Sequence, residues 1–113
     1  MSAPDPMVAL RQMLEYAQEA VELCRSKERS DLDQDRLLEL ALVRLLEIIG
    51  EAANRVSPAE QAIRPKIPWA QIVGLRNRLI HGYDAVDLDI VWQIIQQDLP
   101  LLIVQLQEIV GDQ

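Results

Sequence analysis

The sequence predicts an all-α domain, an antiparallel four-helix bundle with one short extra helical turn. Three observations carry that prediction. Half of the residues are apolar, they alternate with charged residues at helical spacing, and only four glycines interrupt them. A length of 113 residues suits one domain, 1–113, and leaves little chain for a second.

The first helix is expected to begin after Pro6 and run to about Ser26. Leu10, Leu14 with Met13, Ala17, Val21 and Cys24 recur every three or four residues, which is one buried stripe. The charged segment K-E-R-S-D-L-D-Q-D breaks the stripe, so a new helix is expected to start near Ser30 or Asp31.

That second helix, from about Leu32 to Val56, is apolar nearly all round. Glu39, Arg44, Glu47 and Glu51 supply almost all of its polar face. One small protomer covers one side of such a helix, so the surplus points to self-association, most simply a twofold dimer. Gly50 inside it costs about 1 kcal/mol relative to alanine, a loss that close approach of another helix would offset.

Ser57, Pro58 and Glu60 read as an N-cap, a first-turn proline and a reciprocal acceptor, opening one short turn. The prolines of R-P-K-I-P then force an extended connection. Pro68 opens a third helix with Ile72, Leu75 and Leu79 on its inner stripe and Val73 and Ile80 at the border. Asp87 is the expected N-cap of a fourth helix, whose stripe runs Leu88, Val91, Trp92, Ile95, Leu99, Leu102, Leu106, Ile109. Pro100 should kink it, because its ring removes a backbone donor and clashes with the preceding turn. Trp69 and Trp92 fall at core positions.

Charge is distributed unevenly. The chain carries a net −7, yet the segment from Gln61 to Tyr83 contains no Asp or Glu. Such a basic island attracts phosphate locally although the molecule as a whole repels a long polyanion. One cysteine, Cys24, closes no intrachain disulfide, which favours a reducing, cytoplasmic setting. The N-terminus lacks a basic, apolar leader, and no apolar run approaches the ~18 residues that span a bilayer, so neither secretion nor membrane insertion is expected.

L-E-I-I-G-E-A-A-N-R-V-S (46–57), I-P-W (67–69), G-L-R-N-R-L-I-H-G-Y (74–83) and the following V-D-L-D-I-V-W resemble the HEPN superfamily. Within it they are most similar to the HepT-like toxins, which pair with MntA-like minimal nucleotidyltransferase antitoxins. The similarity runs from the second half of helix two to the C-terminus. The family signature is Arg, four to six residues, His; here Arg76 and His81 enclose four, Asn77 follows the arginine, and Tyr83 stands two beyond the histidine. The resemblance implies a bundle that dimerises with the two motifs facing each other in a cleft. It also implies metal-independent endoribonuclease activity, with tRNA among the substrates, in a type VII-like toxin–antitoxin system. The partner would neutralise the toxin by transferring AMP from ATP to Tyr83; the chain itself would need no cofactor or metal.

Elementary chemistry agrees with that assignment. Metal-free RNA cleavage needs a base for the 2′-OH proton, positive charge on the phosphate oxygens and an acid for the leaving 5′-oxygen. Histidine, with an ordinary pKa of about 6.5, suits proton transfer, and the planar arginine fork suits the phosphate. Asn77 is placed to orient His81 or to donate to phosphate. One protomer has one histidine, so an acid/base pair of imidazoles requires a dimer; further assembly is left open.

Each residue also has a plainer role. His81 near a helix end suits a C-cap, and Tyr83 suits packing on the bundle. Arg78 reads equally as a solvated charge or a peripheral phosphate contact. Arg64 and Lys66 either widen the RNA footprint or are ordinary loop charges. Glu47 and Glu51, four apart, lack the Glu-x-x-His partner of a di-metal bundle and read as a solvated or interface pair near Arg44 or Arg55. On a straight helix Arg76 and His81 diverge by about 140°. Either the helix ends near His81, as Gly82 permits, or a second copy supplies the missing groups. The competing function is a non-catalytic helical adaptor that binds a nucleotidyltransferase.

Overall fold

Capping and periodicity together set where each helix begins and which face it buries. The computed structural model describes residues 5–81 and 85–111. Helix α1 (Pro6–Leu23) starts at a first-turn proline, and the Asp5 carboxylate accepts from the Met7 backbone N–H at 2.9 Å. It buries Leu10, Met13, Ala17 and, beyond its end, Cys24, as the stripe predicts.

The expected second helix is two helices. A short α2 (Arg29–Gln34) is followed by α3 (Arg36–Asn54), separated by Asp35 in an extended conformation with φ −117° and ψ 95°. The break occurs because the Asp35 carboxylate accepts from the Leu38 N–H at 3.0 Å and restarts the helix as its N-cap. Leu32 and Leu38 on either side of it both reach the core. Arg29 ties α2 to the far end of the chain through its Nε, which donates to Asp89 at 2.7 Å.

Helix α3 is the centre of the protein. It buries Leu38, Leu42, Leu45, Leu46 and Ile49, while Leu37 and Leu40 remain exposed. Helices α1 and α3 pack along each other, and α8 (Leu99–Val110) lies against α1. Helix α4 (Pro58–Ile63) is the predicted short turn, with Ser57 Oγ accepting from the Glu60 N–H.

The fourth predicted helix is continuous in space but not in hydrogen bonding. It comprises α7 (Leu88–Gln93), a π-helical turn (Ile94–Asp98) and α8. Pro100 has no N–H and crowds the turn before it; the chain accommodates this by widening that turn, so that the Leu99 N–H reaches back to the Ile94 carbonyl. Asp87 caps α7 as expected, accepting from the Asp89 and Ile90 N–H groups at 3.1 and 3.2 Å.

Trp69 is buried, whereas Trp92 is half-buried against the core. No helix among the described residues is long and apolar enough to cross a membrane.

Candidate functional site

The basic island folds as a broken helix pinned on α3. Helix α5 (Trp69–Val73) and helix α6 (Leu75–Leu79) meet at Gly74, and Ile72, Leu75 and Leu79 are buried as predicted. The pin is Gly50. A Cβ added there would lie 2.9 Å from the Ile72 carbonyl oxygen, so only glycine lets the α3 and α5 backbones come this close. The close approach anticipated for Gly50 is therefore present.

Helix three does not reach His81. Helix α6 ends at Leu79, and Ile80 turns extended with φ −96° and ψ 125°. Ile80–His81 forms strand β1, which pairs antiparallel with β2 (Ala85–Val86), Ile80 opposite Val86 and His81 opposite Ala85. The Asp87 N–H continues this ladder to the Leu79 carbonyl at 2.8 Å. The link between α6 and α7 thus includes a two-residue antiparallel ladder. The 140° divergence of Arg76 and His81 does not apply, because His81 lies beyond the helix. The helix ends near the histidine, as the first of the two arrangements open to the sequence has it. Tyr83 lies outside the described residues.

Arg76 and Arg78 serve different surroundings. Arg76 is 75% exposed and its Nε stands 3.9 Å from Glu47 Oε2 on α3. Glu47 is only 26% exposed and also faces Arg44 at 3.7 Å; Arg44 reaches on to Glu51 at 3.3 Å. Glu47, Glu51 and Arg76, with Gly50, Asn54 and Val73, border a recess of about 210 Å³. The sequence pairing of Glu47 and Glu51 with Arg44 holds, and the link to Arg76 was not legible in it. Among the described residues no group of three or more His, Cys, Asp or Glu side chains converges as a metal cage would.

Arg78 instead bonds Asp98 at 3.3 Å, on the π-helical turn. It lines a second groove of about 330 Å³ with Lys66, over a floor that includes Ile72, Leu75 and Leu102. The Lys66 carbonyl accepts from Gln105 of α8 at 2.9 Å, and the Arg64 carbonyl accepts from Trp69 Nε1 at 3.0 Å. These backbone bonds hold the proline-rich connection down. Asn77 is exposed on α6.

Comparison with known proteins decides the family. The family model described as ribonuclease HepT-like matches residues 13–109. The chain belongs to this HepT-like family. A Methanocaldococcus jannaschii protein that bears an RNase name is 34% identical over 100 residues, covering 88% of this chain and 92% of its own. A Thermococcus cleftensis protein named as ribonuclease HepT is 36% identical over 93 residues, covering 79% and 84%. A Caldanaerobacter subterraneus protein, again with an RNase name, is 35% identical over 109 residues, 96% of each chain. No solved structure matches the chain. The family supports ribonuclease function for this HepT-like chain, and the HEPN resemblance read from the motif stands.

Proposed function

We propose that this HepT-like chain is the toxin of a two-component system, a metal-independent endoribonuclease acting on tRNA or another RNA. The observation that carries the reading is the placement of Arg76, a well-exposed guanidinium on α6, just before the turn to His81 in an acid-free segment of an acidic chain. In this reading Arg76 holds the scissile phosphate and steadies the charge that builds on its oxygens. The His81 imidazole moves the proton, and Asn77, which follows Arg76 on α6, is a further donor. Arg64, Lys66 and Arg78 extend the contact with RNA.

The active unit is a twofold dimer, because one protomer has one histidine and the cleavage needs both a base and an acid. Leu37, 79% exposed, and Leu40 fall on the same face of α3 as Arg44, Glu47 and Glu51, spaced three, four, three and four. A partner protomer laid on that face would cover both leucines and bring the second Arg76 towards the first, as in a bundle of antiparallel helices. The protein partner is an MntA-like nucleotidyltransferase that moves AMP from ATP to the Tyr83 hydroxyl, which loses its proton as pyrophosphate leaves. A phosphodiester there adds bulk and negative charge beside the cations that RNA needs.

The test is cleavage of total tRNA by the purified protein before and after incubation with the partner and ATP. Loss of cleavage with an AMP mass gain that is absent in Tyr83→Phe supports the whole reading. Labelling that survives Tyr83→Phe moves the modification elsewhere. The adaptor reading draws on the same exposed leucines as a seat for the nucleotidyltransferase. A tight complex, with tRNA left whole by the wild type, would favour it.

A further inference from the structure

The ribonuclease reading needs Arg76 to present its fork to a phosphate, yet an exposed arginine on a short helix is free to rotate. Immobilising such a side chain on binding has an entropic cost. The structure supplies a means of reducing it. Gly50 and Ile72 bring α3 and α5 into backbone contact. Glu47 stands one turn before Gly50 on α3, and Arg76 stands about one turn beyond Ile72. The two side chains therefore flank a rigid contact and meet at 3.9 Å.

The atoms that meet matter. Glu47 Oε2 faces Arg76 Nε, the inner nitrogen of the guanidinium, which leaves the two terminal nitrogens for a phosphate. Glu47 also faces Arg44: it is half-buried with Arg44 at 3.7 Å, and Arg44 in turn hydrogen-bonds Glu51 at 3.3 Å. Two arginines and two glutamates in alternation leave the cluster with no net charge, so its contribution is orientation rather than attraction.

We propose that Glu47 is the positioning residue of Arg76, holding the guanidinium by its Nε edge so that the outer edge meets the scissile phosphate. This rests on the ribonuclease reading, and Glu47 itself touches no reacting atom. Its role differs from that of a surface ion pair kept for stability, which contributes little at this exposure.

Two measurements on the full chain test it. In the first, single-turnover cleavage of total tRNA is followed for wild type, Glu47→Ala, Glu47→Gln, Arg76→Ala and the Glu47→Ala/Arg76→Ala pair. Glu47→Ala should lower the cleavage rate about 2- to 12-fold, the factor for immobilising one long side chain, when compared with wild type at a concentration where both share one oligomeric state, with the unfolding midpoint unchanged. Glu47→Gln, which retains an acceptor oxygen, should recover part of that loss. In the Arg76→Ala background, Glu47→Ala should change nothing further. A wild-type rate in Glu47→Ala, a faster rate, or an equal loss in the Arg76→Ala background would overturn the proposal.

The second measurement is independent of activity. The Arg76 Nε–H resonance, assigned by its loss in Arg76→Lys, should be less mobile in wild type than in Glu47→Ala. An unchanged resonance overturns the proposal. If wild type left tRNA whole, the ribonuclease reading would fail by itself, and this resonance would still decide whether Glu47 holds Arg76.

Discussion

Gly50 and Ile72 touch backbone to backbone: a Cβ on the glycine would come within 2.9 Å of the isoleucine carbonyl oxygen. That contact lets the broken helix α5–α6 pack closely on α3, with Ile72, Leu75 and Leu79 buried beneath Arg76. Gly50→Ala gains about 1 kcal/mol of helix propensity but must push two backbones apart, which costs about 1–3 kcal/mol. The net expectation is a loss of about 1 kcal/mol in urea unfolding, together with slower RNA cleavage. A more stable variant would show that the two backbones have room to spare.

Asp87 links the two halves of the motif region. Its N–H bonds the Leu79 carbonyl at the end of α6, and its carboxylate caps α7. Asp87→Ala should lose about 1 kcal/mol in chemical unfolding, and Asp87→Asn, which retains an acceptor, should lose less. Equal losses in both variants would assign the effect to charge rather than to capping.

The Cys24 thiol gives a pH signature. Burial pushes its pKa up, opposed by the charge of nearby Lys27. Its folded-state pKa therefore exceeds its unfolded one, so the native state holds the proton longer. Its contribution to stability is fully present below the unfolded value of about 8.5 and is lost as pH rises from there through the folded value. Unfolding free energies of wild type and Cys24→Ala should run parallel near pH 7 and converge towards pH 10. Curves that stay parallel throughout would show that the thiol does not couple to folding.

Shared use of imidazoles can be read by subunit dilution. When His81→Ala is mixed and exchanged with wild type, the cleavage rate should fall as the square of the wild-type fraction, because both subunits must supply a histidine. A linear fall would place a complete site in each protomer.

Much of the fold was legible in the sequence because the core stripes follow the helical period. Leu10, Met13 and Ala17 on α1, and Val91, Ile95, Leu99 and Leu106 towards the C-terminus, are buried where that period puts them. The break at Asp35 was not legible. Asp31, Asp33 and Asp35 all offer a cap, and the docking of Leu32 and Leu38 selects among them. The β1–β2 ladder was not legible either, since Ile80–His81 is too short to leave a two-residue alternation. Pro100 announced a disturbance, and the form it takes, a π turn that carries Asp98 to Arg78, depends on tertiary packing. At the site, Arg76 and His81 stood out by spacing, while Glu47 is distant in sequence and meets Arg76 only through the Gly50 contact.

The proposed cleavage depends most on His81 carrying a proton without a metal. The decisive measurement is cleavage of total tRNA in EDTA by wild type and by His81→Ala, each checked for an unchanged oligomeric state. The account predicts that wild type cuts and that His81→Ala leaves the RNA whole. Intact RNA with wild type, or equal cutting by both, would contradict it.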